Sequence, residues 1–144
     1  MTMKKSQPAK VKSNIIHTSG KRKRAIARAT LRPGKGVVRF NFVNLNKIEP
    51  EFARLRLQEP LAIAGNISGQ VDIDITVVGG GWAGQIEAAR LAIGKALAAY
   101  GGEELKKTFL EYDRHLLVAD TRHKEPRKAG RHSRARAGRQ TSYR

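Results

Sequence analysis

The chain has 144 residues, no cysteine and a formal net charge of +17, with eight basic side chains and no acid in residues 1–24, nine against one acid in 121–144, and twelve against eleven between them. That length suits one domain with a modest core, and the missing cysteines exclude disulfides, thiolate metal sites and cysteine nucleophiles. No apolar run approaches the ~18 residues a membrane-spanning helix needs, and the basic N-terminus lacks the apolar stretch of a signal peptide, so a reducing, cytoplasmic setting without membrane contact is expected.

Residues 1–13 are polar and lysine-rich, a basic arm with too little apolar surface to order itself without a partner. Asn14 to Thr18 fits a short strand that Gly20 breaks. From Ala25 the pattern alternates, with Ala25, Ala27, Ala29 and Leu31 on one face and Ile26, Arg28, Thr30 and Arg32 on the other. Pro33-Gly34-Lys35-Gly36 has the chemistry of a turn. Val37 to Phe42 then returns with Val38, Phe40 and Phe42 facing inward, which predicts a hairpin with one apolar and one basic face. Glu49-Pro50-Glu51 announces a helix. Pro60 predicts a break near Gln58, hence two short helical pieces before Gly65.

Val71 to Val78 alternates again, with Val71, Ile73, Ile75 and Val77 inward and Asp72, Asp74 and Thr76 outward. Trp82 to Tyr100 predicts the longest helix, its apolar stripe made of Ile86, Ala89, Ile93, Leu97 and Tyr100, with Glu87, Arg90 and Lys95 off it. Gly101-Gly102 stops that helix, Glu103 to Glu111 opens another, and an apolar patch from Leu116 to Ala119 ends the core. The order is β-β-β-α-β-α-α, a globular α/β unit over 14–120 between the basic arm 1–13 and a basic extended tail 121–144.

Two basic arms on a nearly neutral body point to a polyanion partner, because each phosphate neutralised releases condensed counterions. Neither arm has the apolar face of a helix that lies on a membrane. In the tail arginine outnumbers lysine seven to two, which suits forked contacts to phosphates and stacking on unpaired bases. The 24 residues after Asp120 span on the order of 80 Å when extended. On the body, Arg24, Arg28 and Arg32 form a basic row on one strand face, which Lys21, Arg22 and Lys23 lengthen.

Gly79, Gly81 and Gly84 spell G-x-G-x-x-G between a strand and a helix, the spacing of a pyrophosphate-binding loop. The strand before it carries Asp72 and Asp74 rather than a continuous apolar run, and no second strand ends in an acid about 20 residues on. A Walker loop is excluded by Gln85-Ile86 where Lys and Ser or Thr belong. A tight turn with close backbone approach is the remaining reading. His115, His123 and His132 lack zinc-ligand spacing. No catalytic residue, no cofactor and no metal site is expected, and the chain reads as a non-enzyme.

The stretch "GGGWAGQIEAARLAIGKAL", Gly79 to Leu97, resembles the signature of the ribosomal protein nine family of the small subunit, on Gly79, Gly80, Gly81, Gly84, Gln85, Ala88, Ala92, Gly94, Lys95, Ala96 and Leu97. "GKRKRAIARATLRPGKG", Gly20 to Gly36, resembles the opening of that family. "DTRHKEPRK" and the closing "QTSYR" resemble the tail of its archaeal and eukaryotic members, whereas bacterial members close on Lys-Arg where this chain has Tyr143-Arg144.

The resemblance implies a two-layer α/β (α+β) fold, a mixed β-sheet backed by helices, in the head of the small ribosomal subunit. It implies rRNA contacts by Lys21, Arg22, Lys23, Arg24, Arg28, Arg32, Gln85, Arg122, Lys124, Arg127, Lys128, Arg131, Arg134, Arg136, Arg139 and Gln140, and contact of Tyr143 and Arg144 with the peptidyl-site tRNA. Neighbouring head proteins are the other expected partners, with no homo-oligomer. Residues alone leave two rivals open: a free nucleic-acid-binding chaperone or nucleoid protein, and a nucleotide-dependent enzyme working at the glycine loop.

Overall fold

The computed structural model describes residues 15–132, 134–136 and 138. The N-terminal arm, residues 1–13, and Asn14 of the expected first strand therefore lie outside the described residues. Five strands, β1 (Ile16–Arg22), β2 (Ala25–Pro33), β3 (Val38–Phe40), β4 (Val43–Asn44) and β5 (Val71–Val78), form one mixed sheet in the order β1-β2-β5-β3-β4. Helix α1 (Glu51–Ala64) and the long helical run α2 (Trp82–Tyr112) back it. This is the two-layer α+β class expected.

Alternation places the strands' side chains. Ala25, Ala27, Ala29 and Leu31 of β2 and Val71, Ile73, Ile75 and Val77 of β5 are all buried, while Arg28, Arg32 and Thr76 face solvent. Each fully buried Ile, Leu or Val stabilises the fold by roughly 1.5–3 kcal/mol. The alanines of β2 make room for α2, which crosses β1 and β2 on small residues of its own. Thr18 Oγ1 donates to the Ala92 carbonyl at 2.8 Å, and a Cβ at Gly20 would overlap the Ala88 carbonyl oxygen. Gly20 thus sits inside β1 rather than ending it. The glycine is there for close approach, and β1 runs on to Arg22.

The expected β2–β3 hairpin does not form. β2 pairs antiparallel with β1 and with β5, and β3 lies on the far side of β5, parallel to it. Asp72 at the start of β5 explains the crossing: its Oδ1 accepts from the backbone N–H of Lys35 at 2.9 Å and of Val37 at 2.8 Å, holding the Pro33–Gly36 turn across the strand end. Those amide bonds hold its carboxyl below the ordinary carboxylate range, against the opposing pull of desolvation. Phe42 is also misplaced by the sequence pattern. β3 ends at Phe40, the chain turns through Asn41 and Phe42 into β4, and Phe42 points to solvent instead of the core.

Pro60 does not divide α1, which continues through it to Ala64 as a single helix. The lost backbone bond is offset by complete burial of the proline ring and by Glu59, which fastens the same turn to α2. In α2 the expected stop is real. Gly102 has φ +79° and ψ −163°, so the run is two helical segments meeting at a kink. Arg90, expected off the apolar stripe, is only 2 % exposed. Sheet, α1 and the turn at Arg114–Leu116 surround this part of α2, so its polar flank is covered too.

Candidate nucleic-acid interface

The turn between β1 and β2, Arg22-Lys23-Arg24-Ala25, projects the basic triplet from one end of the sheet, with Lys23 at φ +53°. The glycine loop abuts the same end. Gly79 and Gly80 have positive φ, and a Cβ on Gly79 would come within 2.7 Å of the Arg24 carbonyl oxygen. Gln85 Nε2 donates to the Gly79 carbonyl at 3.2 Å and closes the loop over the first turn of α2. Gly79 and Gly80 therefore serve backbone packing against the basic turn, the close-approach reading of the motif, while a Cβ at Gly81 would meet open space.

The root of the tail completes the site. Asp120 accepts from the Arg122 backbone N–H at 2.8 Å and from its guanidinium Nε and Nη2 at 3.1 and 2.7 Å. Arg22 Nη1 also lies in ion-pair contact with Asp120, without hydrogen-bond alignment. The bonds from Arg122, its positive charge and that of Arg22 hold the Asp120 carboxyl far below its ordinary value. Its charge is thus fixed at every physiological pH. One carboxylate ties the tail to the β1–β2 hairpin, a role that the sequence reading missed. The only clue was an Asp-x-Arg pair standing where the basic tail begins.

Between these elements opens a cleft of about 950 Å³ lined by Lys21, Lys23, Arg24, Gly80, Gly81, Arg122, Lys124 and Arg127, with Glu125 as an acid at its edge. Backbone amides at the α2 N-terminus favour anions, and the cations around them favour phosphate. The remaining expected residues are distributed differently. Arg28 is exposed midway along the outer sheet face, opposite Ser19 and Thr76, while Arg32 stands opposite Asp72 at the far end. The basic row is therefore strongest toward the cleft.

Gln85, half-buried, uses its amide nitrogen in the exposed bond to the Gly79 carbonyl. Along the tail, Lys128, Arg131 and Arg134 are exposed, and the segment turns so that Arg136 pairs with Glu125 at 3.0 Å. Arg139, Gln140, Tyr143 and Arg144 lie outside the described residues. Among the described residues no group of three or more His, Asp or Glu side chains is arranged to hold a metal ion, and no helix is long and apolar enough to cross a membrane.

An α+β body whose β1–β2 turn, glycine loop and tail root share one cation-lined cleft defines the class by fold and charge: an α+β domain with a basic tail. The particular family follows from comparison, since the family described as "Ribosomal protein S9/S16" matches residues 20–144. The chain is 48 % identical over 132 residues to "Small ribosomal subunit protein uS9" of Methanococcus vannielii, an alignment covering 90 % of this chain and 98 % of the relative. It is 47 % identical over 132 residues to the protein of the same name from Methanococcus maripaludis, with the same coverage of 90 % and 98 %. The chain belongs to the ribosomal protein S9/S16 family. It is a ribosomal structural protein, not an enzyme.

Proposed function

We propose that this chain is built into the head of the small ribosomal subunit, binds rRNA through the cationic cleft and tail, and sends its closing residues to the backbone of the peptidyl-site tRNA. The observation that carries the reading is the convergence of three elements on one cleft: the basic β1–β2 turn, the glycine loop at the α2 N-terminus, and the tail root held by Asp120. The names of the relatives support the placement in the small subunit.

In this account residues 14–120 form the body, with Lys21, Arg22, Lys23, Arg24, Arg28 and Arg32 seating it on rRNA. The cations from Arg122 to Arg139 line the tail's path beside Gln140. Arginine suits that path because its planar fork binds phosphate and stacks on bases while remaining charged. Asp120 gives the path a fixed origin, so chain entropy is lost over a shorter free segment when the tail orders on RNA. Neighbouring head proteins complete the setting, and no second copy of the chain is required.

Tyr143 and Arg144 test the tRNA contact. Subunits assembled with a chain lacking these two residues are expected to form normally and to retain peptidyl-site tRNA less tightly, on the order of tenfold for one lost charge-assisted phosphate contact. Filter binding of tRNA to purified subunits reads the difference. Equal tRNA affinity in the truncated subunits would refute the contact.

A further inference from the structure

Phe42 is 91 % exposed, and its φ is +68°. It occupies the second position of the two-residue loop Asn41-Phe42, between the paired residues Phe40 and Val43, and Asn41 also has positive φ. Both signs are those of a type I′ hairpin turn, which favours Asn-Gly because glycine alone enters the second position without steric cost. Asn41 fits its place. Its Oδ1 accepts from the Val77 N–H at 2.8 Å and so extends the β3–β5 ladder by one rung. Phe42 fits neither the turn nor the core. A bulky aromatic residue is strained at this φ, and with its ring in solvent it gains almost nothing from burial.

The surroundings say what the ring meets. Residues 36–48 contain Arg39, Lys47 and three asparagines and no acidic residue. Asp74 across the sheet is already engaged by Arg39 at 3.3 Å. An aromatic ring raised on a polar hairpin without an acid of its own, with Lys47 in the 3-10 turn that follows it, is an arrangement that takes a nucleobase on its face and an adjoining phosphate on its flank. We propose that Phe42 is an RNA-contacting residue whose ring stacks on an unpaired base of the small-subunit rRNA, with Lys47 beside the neighbouring phosphate. The proposal rests on the rRNA-binding reading above.

The full chain and three variants, Phe42→Gly, Phe42→Leu and Phe42→Trp, are titrated with small-subunit rRNA at one fixed salt concentration, and the thermal midpoint of each free protein is recorded. Phe42→Gly is expected to raise the midpoint by about 2–5 °C as the turn relaxes, yet to weaken rRNA binding by about tenfold. Phe42→Leu weakens binding similarly, and Phe42→Trp preserves it, because a π face is needed rather than apolar bulk. A benzophenone side chain at position 42 in assembled subunits is expected to cross-link to a nucleotide. Wild-type affinity in both the glycine and leucine variants overturns the proposal, as does a cross-link to protein alone. Failure of the wild-type chain to bind the rRNA at all removes the underlying reading as well, and is distinguished by appearing in every variant.

Discussion

Arg90→Ala is expected to destabilise the free protein by about 3 kcal/mol, a fall in the thermal midpoint on the order of 10 °C. The guanidinium, 2 % exposed, donates Nε to Glu59 at 2.8 Å and Nη2 to Glu59 and Asp113 at 2.9 and 2.8 Å. It joins α1, the first segment of α2 and the turn that follows the second segment. Removing it leaves Asp113 without a cation and Glu59 with Arg56 at 3.2 Å, and breaking one partner out of a partly buried charge cluster costs more than the intact cluster contributes.

The pH dependence carries the same information. Burial pushes the carboxyls of Glu59 and Asp113 up, but Arg90, with Tyr112 and Arg56 behind it, brings Glu59 below its ordinary value of 4.5, and the His115 N–H followed by Arg90 brings Asp113 below 3.8. A depressed folded-state pKa stabilises the native protein above the unfolded value and loses that contribution as pH falls through the folded one. Wild-type stability is therefore expected to rise as pH increases from about 2 to 5. In Arg90→Ala that rise shrinks, because Arg56 and Tyr112 at Glu59 and the His115 N–H at Asp113 are left to oppose burial without Arg90. A variant as stable as wild type, or one with an unchanged acid limb, would contradict the role.

Removing residues 121–144 is expected to lower rRNA affinity on the order of a hundredfold or more near 0.1 M salt and to flatten its salt dependence. Nine cations leave with that segment. Each one seated on a phosphate adds about 0.7–0.9 to the slope of log affinity against log salt, so loss of even four contacts lowers the slope by about three. Asp120→Asn separates charge from placement. It removes no cation but frees the tail root from Arg22 and Arg122, so the slope stays near that of wild type while affinity falls. Binding isotherms at four or five salt concentrations measure both. An unchanged slope in the truncated chain would mean that the tail cations do not touch phosphate.

The faces of β2 and β5 were legible in the sequence because side chains alternate with period two and burial follows that alternation. The neighbours of those strands were not. Nothing in Val37 to Phe42 announces that Asp72, more than 30 residues on, carries the chain across β5. The rule for Pro60 was a local one, and the tertiary ties of its turn outweighed it. Arg90 read as a surface residue because its partners lie 31 and 23 residues away, invisible to helical periodicity. Composition showed that charge gathers at the chain ends, and the structure brings the basic turn and the tail root together on one cleft. Composition did not reveal that Asp120 joins them, nor that Gln85 closes the glycine loop.

The cationic cleft and tail are proposed to carry the chain into the small ribosomal subunit through RNA. Sedimentation of the tagged full chain from a native lysate through a sucrose gradient in moderate salt, with and without ribonuclease, tests it most directly. Co-migration with small subunits that ribonuclease abolishes is expected. Migration as free protein, or with DNA irrespective of ribonuclease, would contradict it.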